Sequence, residues 1–330
     1  MAKAKKHHFV PQGYLRFFAE LTQSESRWKI GVYDKELKRH FYADVSDVAQ
    51  KKYFNSVDCE ATPLAPKRDP LYYEETLAKT IEGKIPSYIN NFLACCTLST
   101  PKNEVLSEEI KQSIAYVMVV QLLRTQKARK YLLDRGREPF EESIEIGREM
   151  VDALKSSDKD RYYKVLDQFQ YSEEVMKDVI LDTITDYSKV MQFASELVNN
   201  RIWIVYENGQ YRSNPFVTSD EPVLMYNTLN RSVDYGDNAI NVPATVIAFP
   251  ISPQFMIATY HKRHYFAKCL KLFCNKRIKC SADFVHAANM AQLFHSERQV
   301  YTKPSSINIL SSLSKEGQRS IALERRRDDG

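Results

Sequence analysis

Residues 190–206 read VMQFASELVNNRIWIVY, and the character of the chain changes inside them. A helix that opens at Ser172, with Glu173 and Glu174 in its first turn, is carried to Asn199. Arg201 to Tyr206 (RIWIVY) is then short, β-branched and aromatic, as a strand is. Upstream the pattern is helical. The spacing predicts a helix over Tyr72–Phe92, with Leu77, Ile81, Ile85 and Ile89 on one side and a kink at Pro86. A second helix starts at Ser107 and runs to about Asp134. A third, Phe140–Leu154, resumes after Gly136 and Pro139. Downstream, strands are expected at Pro215–Val217, Val223–Tyr226, Ala244–Phe249 and Phe255–Thr259, then a helix over Cys280–Glu297 and a last strand at Gln299–Thr302. Near the start, Tyr14–Glu20 reads as a short helix and Trp28–Asp34 with Arg39–Val45 as a hairpin. Cys59–Pro70, with three prolines, reads as a loop. Helices and strands grouped in this way predict an α+β fold rather than a doubly wound sheet. Long central helices would pack on a mixed or antiparallel sheet formed from N- and C-terminal strands. The expected organisation is one domain over 7–303, a basic arm at 1–6 and a polar, loosely ordered tail at 304–330.

Composition narrows the class without naming a function. The chain has 330 residues, 43% hydrophobic and 27% charged, with nine Gly against sixteen Phe and twenty Tyr, so collagen-like and disordered readings fall away. The longest strongly apolar stretch, Ile114–Leu123, is about half of the ~20 residues that a membrane-spanning helix needs. MAKAKKHHFVP lacks the apolar block of a secretory signal, which leads us to expect a cytoplasmic protein with no membrane partner. Six cysteines are too few for a disulfide scaffold. A net charge of +5 permits an anionic partner without demanding one. The chain contains no GxGxxG, Walker loop, GxSxG elbow or HExxH, so no nucleotide-cofactor motif is present.

Three constellations could carry chemistry. In His7-His8-Phe9-Val10-Pro11, neutral imidazole can bind a metal or accept a proton, while the bland account is a solvated basic arm. In Gln121-Leu122-Leu123-Arg124, Gln121 and Arg124 share one face of an apolar helix. A buried Arg124 needs a carboxylate or phosphate, and the bland account is an Arg–Glu core pair. In Thr218-Ser219-Asp220-Glu221-Pro222, a tight polar turn between apolar strands would present Asp220 to a metal or a histidine. Equally, the turn could satisfy its own amides. Glu75 and Glu82, seven apart, would lie on nearly one helix face.

Together these stretches resemble an uncharacterised, mainly bacterial family, DUF4238. The likeness rests on His7, His8, Val10, Pro11, Tyr14, Leu15, Arg16 and Phe18. It continues through Trp28–Lys35, the Glu75/Glu82 helix, Gln121–Arg129, Thr218–Val223 and Phe249–Pro253, and so spans His7 to about Tyr301. Gly13 departs from it where a bulkier residue is expected. The resemblance carries no activity. It implies that His7 or His8, Gln121, Arg124 and Asp220 belong to one pocket.

Two readings follow. The first is a metal-dependent hydrolase, a nuclease or phosphodiesterase acting as a toxin or anti-phage effector. Asp220, His8 and Glu82 would hold Mg²⁺ or Mn²⁺, His8 would serve as ligand or base, and Arg124 would grip a phosphate oxygen. Lys3–Lys6 and Arg325–Arg327 would add attraction to nucleic acid. The second is a non-catalytic module that binds a partner protein or itself, its polar residues forming a buried network. The exposure of His8, Arg124 and Asp220 discriminates between them.

Overall fold

The strand at Arg201–Asn208 is an interior strand of a five-stranded sheet, and its two faces explain its unbroken apolar run. Ile202, Ile204 and Tyr206 join one core cluster, while Trp203 and Val205 join another. A strand covered on both sides has no polar face to alternate with.

The computed structural model describes residues 6–22, 26–58, 69–98, 104–155 and 157–328, with side chains as far as residue 318. The expected arm at 1–6, apart from Lys6, lies outside them, as does most of the Cys59–Pro70 loop. The strands are β1 Lys6–His8, β2 Glu20–Thr22, β3 Arg27–Asp34, β4 Arg39–Asp44, β5 Gln50–Lys52, β6 Arg201–Asn208, β7 Thr218–Ser219, β8 Leu224–Asn227, β9 Thr245–Pro250, β10 Phe255–His261, β11 Arg277–Cys280 and β12 Gln299–Thr302. The helices are α1 Gln12–Leu15, α2 Tyr72–Thr76, α3 Ile85–Leu98, α4 Glu108–Arg124, α5 Gln126–Arg135 and α6 Arg137–Ala153. They continue with α7 Lys159–Leu166, α8 Glu173–Thr185, α9 Tyr187–Asn200, α10 Ala267–Leu270, α11 Ala282–His295 and α12 Ile307–Asp328.

The fold is α+β, and its strands form separate sheets rather than the one expected. The first runs β11-β6-β10-β9-β8, antiparallel except for the parallel β11–β6 pair. The second runs β2-β3-β12-β7, with β4 also on β3, and joins N-terminal to C-terminal strands. A ribbon of β1 and β5 holds the first described residues. Helix α4 is the central element: Ile114 to Leu122 is buried without a break, packed by α3, α8 and α9.

Four expectations need correction. The helix from Ser107 stops at Arg124, because Thr125 takes an extended conformation (ψ 163°) and α5 starts afresh. The helix from Ser172 is likewise two, since the Asp186 carboxylate caps the amides of Ser188 and Lys189 and opens α9. Pro215–Val217 is not a strand. The polar residues after it are: Thr218 and Ser219 pair with Tyr301 and Val300. The described part of the tail is helical. It forms α12, with Leu310 and Leu313 buried against Tyr33, Val217, Leu293 and Val300.

Pro86 falls in the first turn of α3, where its missing N–H costs nothing, and the chain before it makes a π-helical turn over Leu77–Glu82. Gly13 faces that proline: a Cβ there would lie 2.8 Å from Pro86 Cγ, so the opening motif tolerates no bulk at this point. Among the described residues, no helix is long and apolar enough to cross a membrane.

Candidate functional site

The opening motif docks into the body. His7, Phe9 and Val10 are buried and His8 is nearly so, because β1 pairs with β5 and the Phe9 amide donates to the Ala49 carbonyl. What the two histidines meet is not Asp220. His7 Nδ1 accepts from the Asn55 amide at 3.0 Å and lies 3.7 Å from Glu74 Oε2. His8 Nε2 lies 3.2 Å from the Ser46 carbonyl, and burial lowers its pKa, opposed by Glu82 and reinforced by Arg124. This imidazole is therefore neutral near pH 7, with Nε2–H donating to Ser46.

Arg124 is wholly buried at the C-terminal end of α4. Its Nη2 donates to the His8 carbonyl at 2.5 Å and to Glu82 Oε1 at 2.7 Å, tying the N-terminal strand to the π-helical turn. Arg129 makes a second tie: Nη1 donates to the Phe54 carbonyl, Nη2 to Asn55 Oδ1, and the Asn55 amide nitrogen to Glu74 Oε2. Phe54 stacks under Arg129 at 3.8 Å. The inward acids are thus Glu74 and Glu82, whereas Glu75 is exposed and pairs with Lys79. The π-helical turn explains this. One extra residue in the turn aligns Glu82 with the residue eight before it rather than seven.

Asp220 holds a different segment, the start of β12. Its Oδ1 accepts from the Glu297 amide at 3.0 Å, and its Oδ2 from the Arg298 and Gln299 amides at 2.7 Å each. Burial pushes this carboxyl up to about 6, while the three amides and Lys35 pull it back. Asp34 and Lys35, from the expected hairpin, hold the same segment. Asp34 bonds the side chains of Arg298 and Gln299, and Lys35 Nζ donates to the carbonyls of Ser296 and Leu293. Ser219 bonds Gln292 and its own turn. Tyr14 links the opening motif to the Thr218–Asp220 turn: it donates to the Pro250 carbonyl at 2.6 Å and meets the Thr218 hydroxyl at 2.7 Å.

Glu221, the next residue, caps α5. Its Oε1 accepts from the Lys127 amide and its Oε2 from the Tyr235 hydroxyl. Burial, with the neighbouring Asp220 charge, raises its carboxyl to about 8, opposed by the bonds it accepts. The folded state therefore keeps a proton that the unfolded chain has released, and its stability falls as pH rises through that value. Buried His295, lowered to about 3, and His8, lowered by burial, act in the opposite sense up to and through the usual histidine range. Between about pH 7 and 8.5, above most of the histidine titration, stability is expected to fall by roughly 1 kcal/mol, and Glu221→Gln to flatten that slope. Urea midpoints across the interval check this, and a flat wild-type profile contradicts it.

The chain matches the family described as "Protein of unknown function (DUF4238)" over residues 6–306. It belongs to that family. No match exists among curated proteins or among solved structures. In this DUF4238 chain the family-like motifs make two knots. His7, His8, Glu82 and Arg124 lie in one, with Arg129 from the Gln121–Arg129 stretch and with Glu74 and Asn55, whose parts the sequence did not signal. Asp220 lies in the other, with Tyr14, Asp34 and Lys35. Gln121 is buried in α4, and neither of its side-chain polar atoms has a partner among the described residues.

The proposed cation ligands do not fit a metal. Both Asp220 oxygens face amides, Glu82 Oε1 is engaged by Arg124, and His8 Nε2 is turned to Ser46. Among the described residues, no group of three or more His, Cys, Asp and Glu side chains is placed to hold an ion.

Proposed function

We propose that this chain is a non-catalytic binding or structural module, in which the motif residues lock the N-terminal strand to the helical layer and the two sheets. One observation carries the reading. His8, Arg124 and Asp220 are 9%, 0% and 2% exposed, and they bond mainly to backbone groups rather than lining an open cleft. Catalytic groups must reach a substrate, and these are sealed from one. A screen of purified protein on single- and double-stranded DNA and RNA with Mg²⁺ or Mn²⁺ tests it. The expected result is no hydrolysis above background. Hydrolysis that disappears in a Glu82→Gln variant with unchanged melting would overturn it.

The second reading, a nuclease or phosphodiesterase acting as a toxin or defence effector, draws support from one feature. Arg124 Nε and Nη1 and both polar atoms of Gln121 are buried without partners among the described residues, as a site for an anion would leave them. Arg129 also borders an open cleft of about 540 Å³ with Lys51, Lys52, Lys130 and Lys177 on its walls. Glu173 and Glu174 share those walls and offset much of that charge.

A further inference from the structure

The connection from β10 to β11 uses none of the motif residues, yet its charge is strongly one-sided. No Asp or Glu occurs between Asp237 and Asp283, while 262–279 contains seven Lys and Arg. Lys262, Arg263, Lys268, Lys271 and Lys279 make no side-chain ion pair among the described residues; Arg277, by contrast, reaches Glu207. Two residues peg the segment to the body. His264 and Ala267 are buried, and their amides continue the turn from His261 into α10. The residues between and beyond the pegs point outward: Tyr265 is 55% exposed, Phe266 58%, Leu272 68% and Phe273 43%. Four large apolar side chains held out of the core within nine residues, ringed by free cations, are costly to leave in water.

We propose that Lys262–Phe273 is a peripheral docking surface for membranes that contain anionic lipid. The cations would lie against lipid headgroups while Phe266, Leu272 and Phe273 enter the interface. Docking of this kind needs no spanning helix. A nucleic acid would satisfy the charge but not the apolar groups. Leu272, the most exposed of them, has no ring to stack on a base. Tyr265 already stacks on His264 at 4.2 Å and meets Phe266 at 4.4 Å. The proposal goes beyond the binding-module reading and does not depend on it, since the two concern different surfaces.

The test is co-sedimentation of the full chain with vesicles of phosphatidylcholine alone, and with vesicles of phosphatidylcholine and phosphatidylglycerol in equal parts. Binding is expected to the mixed vesicles only, and to weaken with added salt. Lys268→Gln with Lys271→Gln is expected to lower partitioning roughly tenfold or more, and so is Phe266→Ser with Leu272→Ser. Both pairs lie at exposed positions, so their melting should match the wild type. Equal binding to both vesicle types, no binding to either, or apolar variants that bind undiminished would overturn the proposal. So would displacement from the vesicles by single-stranded RNA that the Phe266→Ser/Leu272→Ser variant binds as well as wild type, which would assign the surface to nucleic acid.

Discussion

Arg124→Ala is expected to cost about 3 kcal/mol or more of folding stability, the lower end of what breaking a buried ion pair costs, since Glu82 keeps some contact with water. Two groups lose their partner at once, the His8 carbonyl and the Glu82 carboxylate, and both bond to the same Nη2. Removal also leaves a void at the end of α4, among side chains that are fully buried. Arg124→Lys is expected to recover less than half of the loss. A lysine ammonium ends one bond short of the Nη2 position from which both bonds are made, and it leaves unfilled the space that the rest of the buried guanidinium occupies. Urea unfolding of the three proteins checks the order wild type, Lys, Ala. A Lys variant as stable as wild type would show that position 124 needs charge alone.

Asp220→Asn is expected to be nearly as damaging, at about 3 kcal/mol, despite its equal size. The carboxylate accepts three amides, one on Oδ1 and two on Oδ2. An amide group must set its NH₂ against at least one of those N–H donors, and a buried unsatisfied donor costs about 1–3 kcal/mol in addition to the lost charge-assisted bonds. The damage should concentrate at the α11–β12 connection and the β12 edge that the segment leads into. Asp220→Ala leaves all three amides without an acceptor and is expected to fold poorly, since such a loss is a large share of a typical domain's stability. Thermal melting of the two variants against wild type decides this. A melting temperature within about a degree of wild type for Asp220→Asn would show that the three bonds contribute little.

What could be read from the sequence was local, and what could not was long-range. The strands at Arg201 and Gln299 declare themselves through β-branched and aromatic runs, and the helix starts at Ser107 and Ser172 through a hydroxyl that each uses as a cap. The Asp186 cap carries the same kind of local signal, inside a stretch whose apolar spacing hides the break. The break at Thr125 has a distant cause. The Lys127 amide is capped by Glu221, 94 residues away in the chain. Glu74 rather than Glu75 faces inward because a π-helical turn shifts the register, and periodicity of 3.6 does not register such a turn. The residues carrying the family motifs were visible as a set. Their division into two knots was not, because Tyr14 finds Thr218 across 204 positions and Asp220 finds its amides only where β12 begins.

Whether these residues hold the fold together or open to a substrate is read by native-state amide exchange. Segments that gate an active site open locally, at free energies well below that of global unfolding. The amide of Phe9, bonded to Ala49, and those of Glu297, Arg298 and Gln299, bonded to Asp220, report on the two knots. All four are expected to exchange only through global unfolding, with the denaturant dependence of the whole protein. Exchange of the Phe9 amide through a small local opening, while the amides of α4 stay protected, would contradict this.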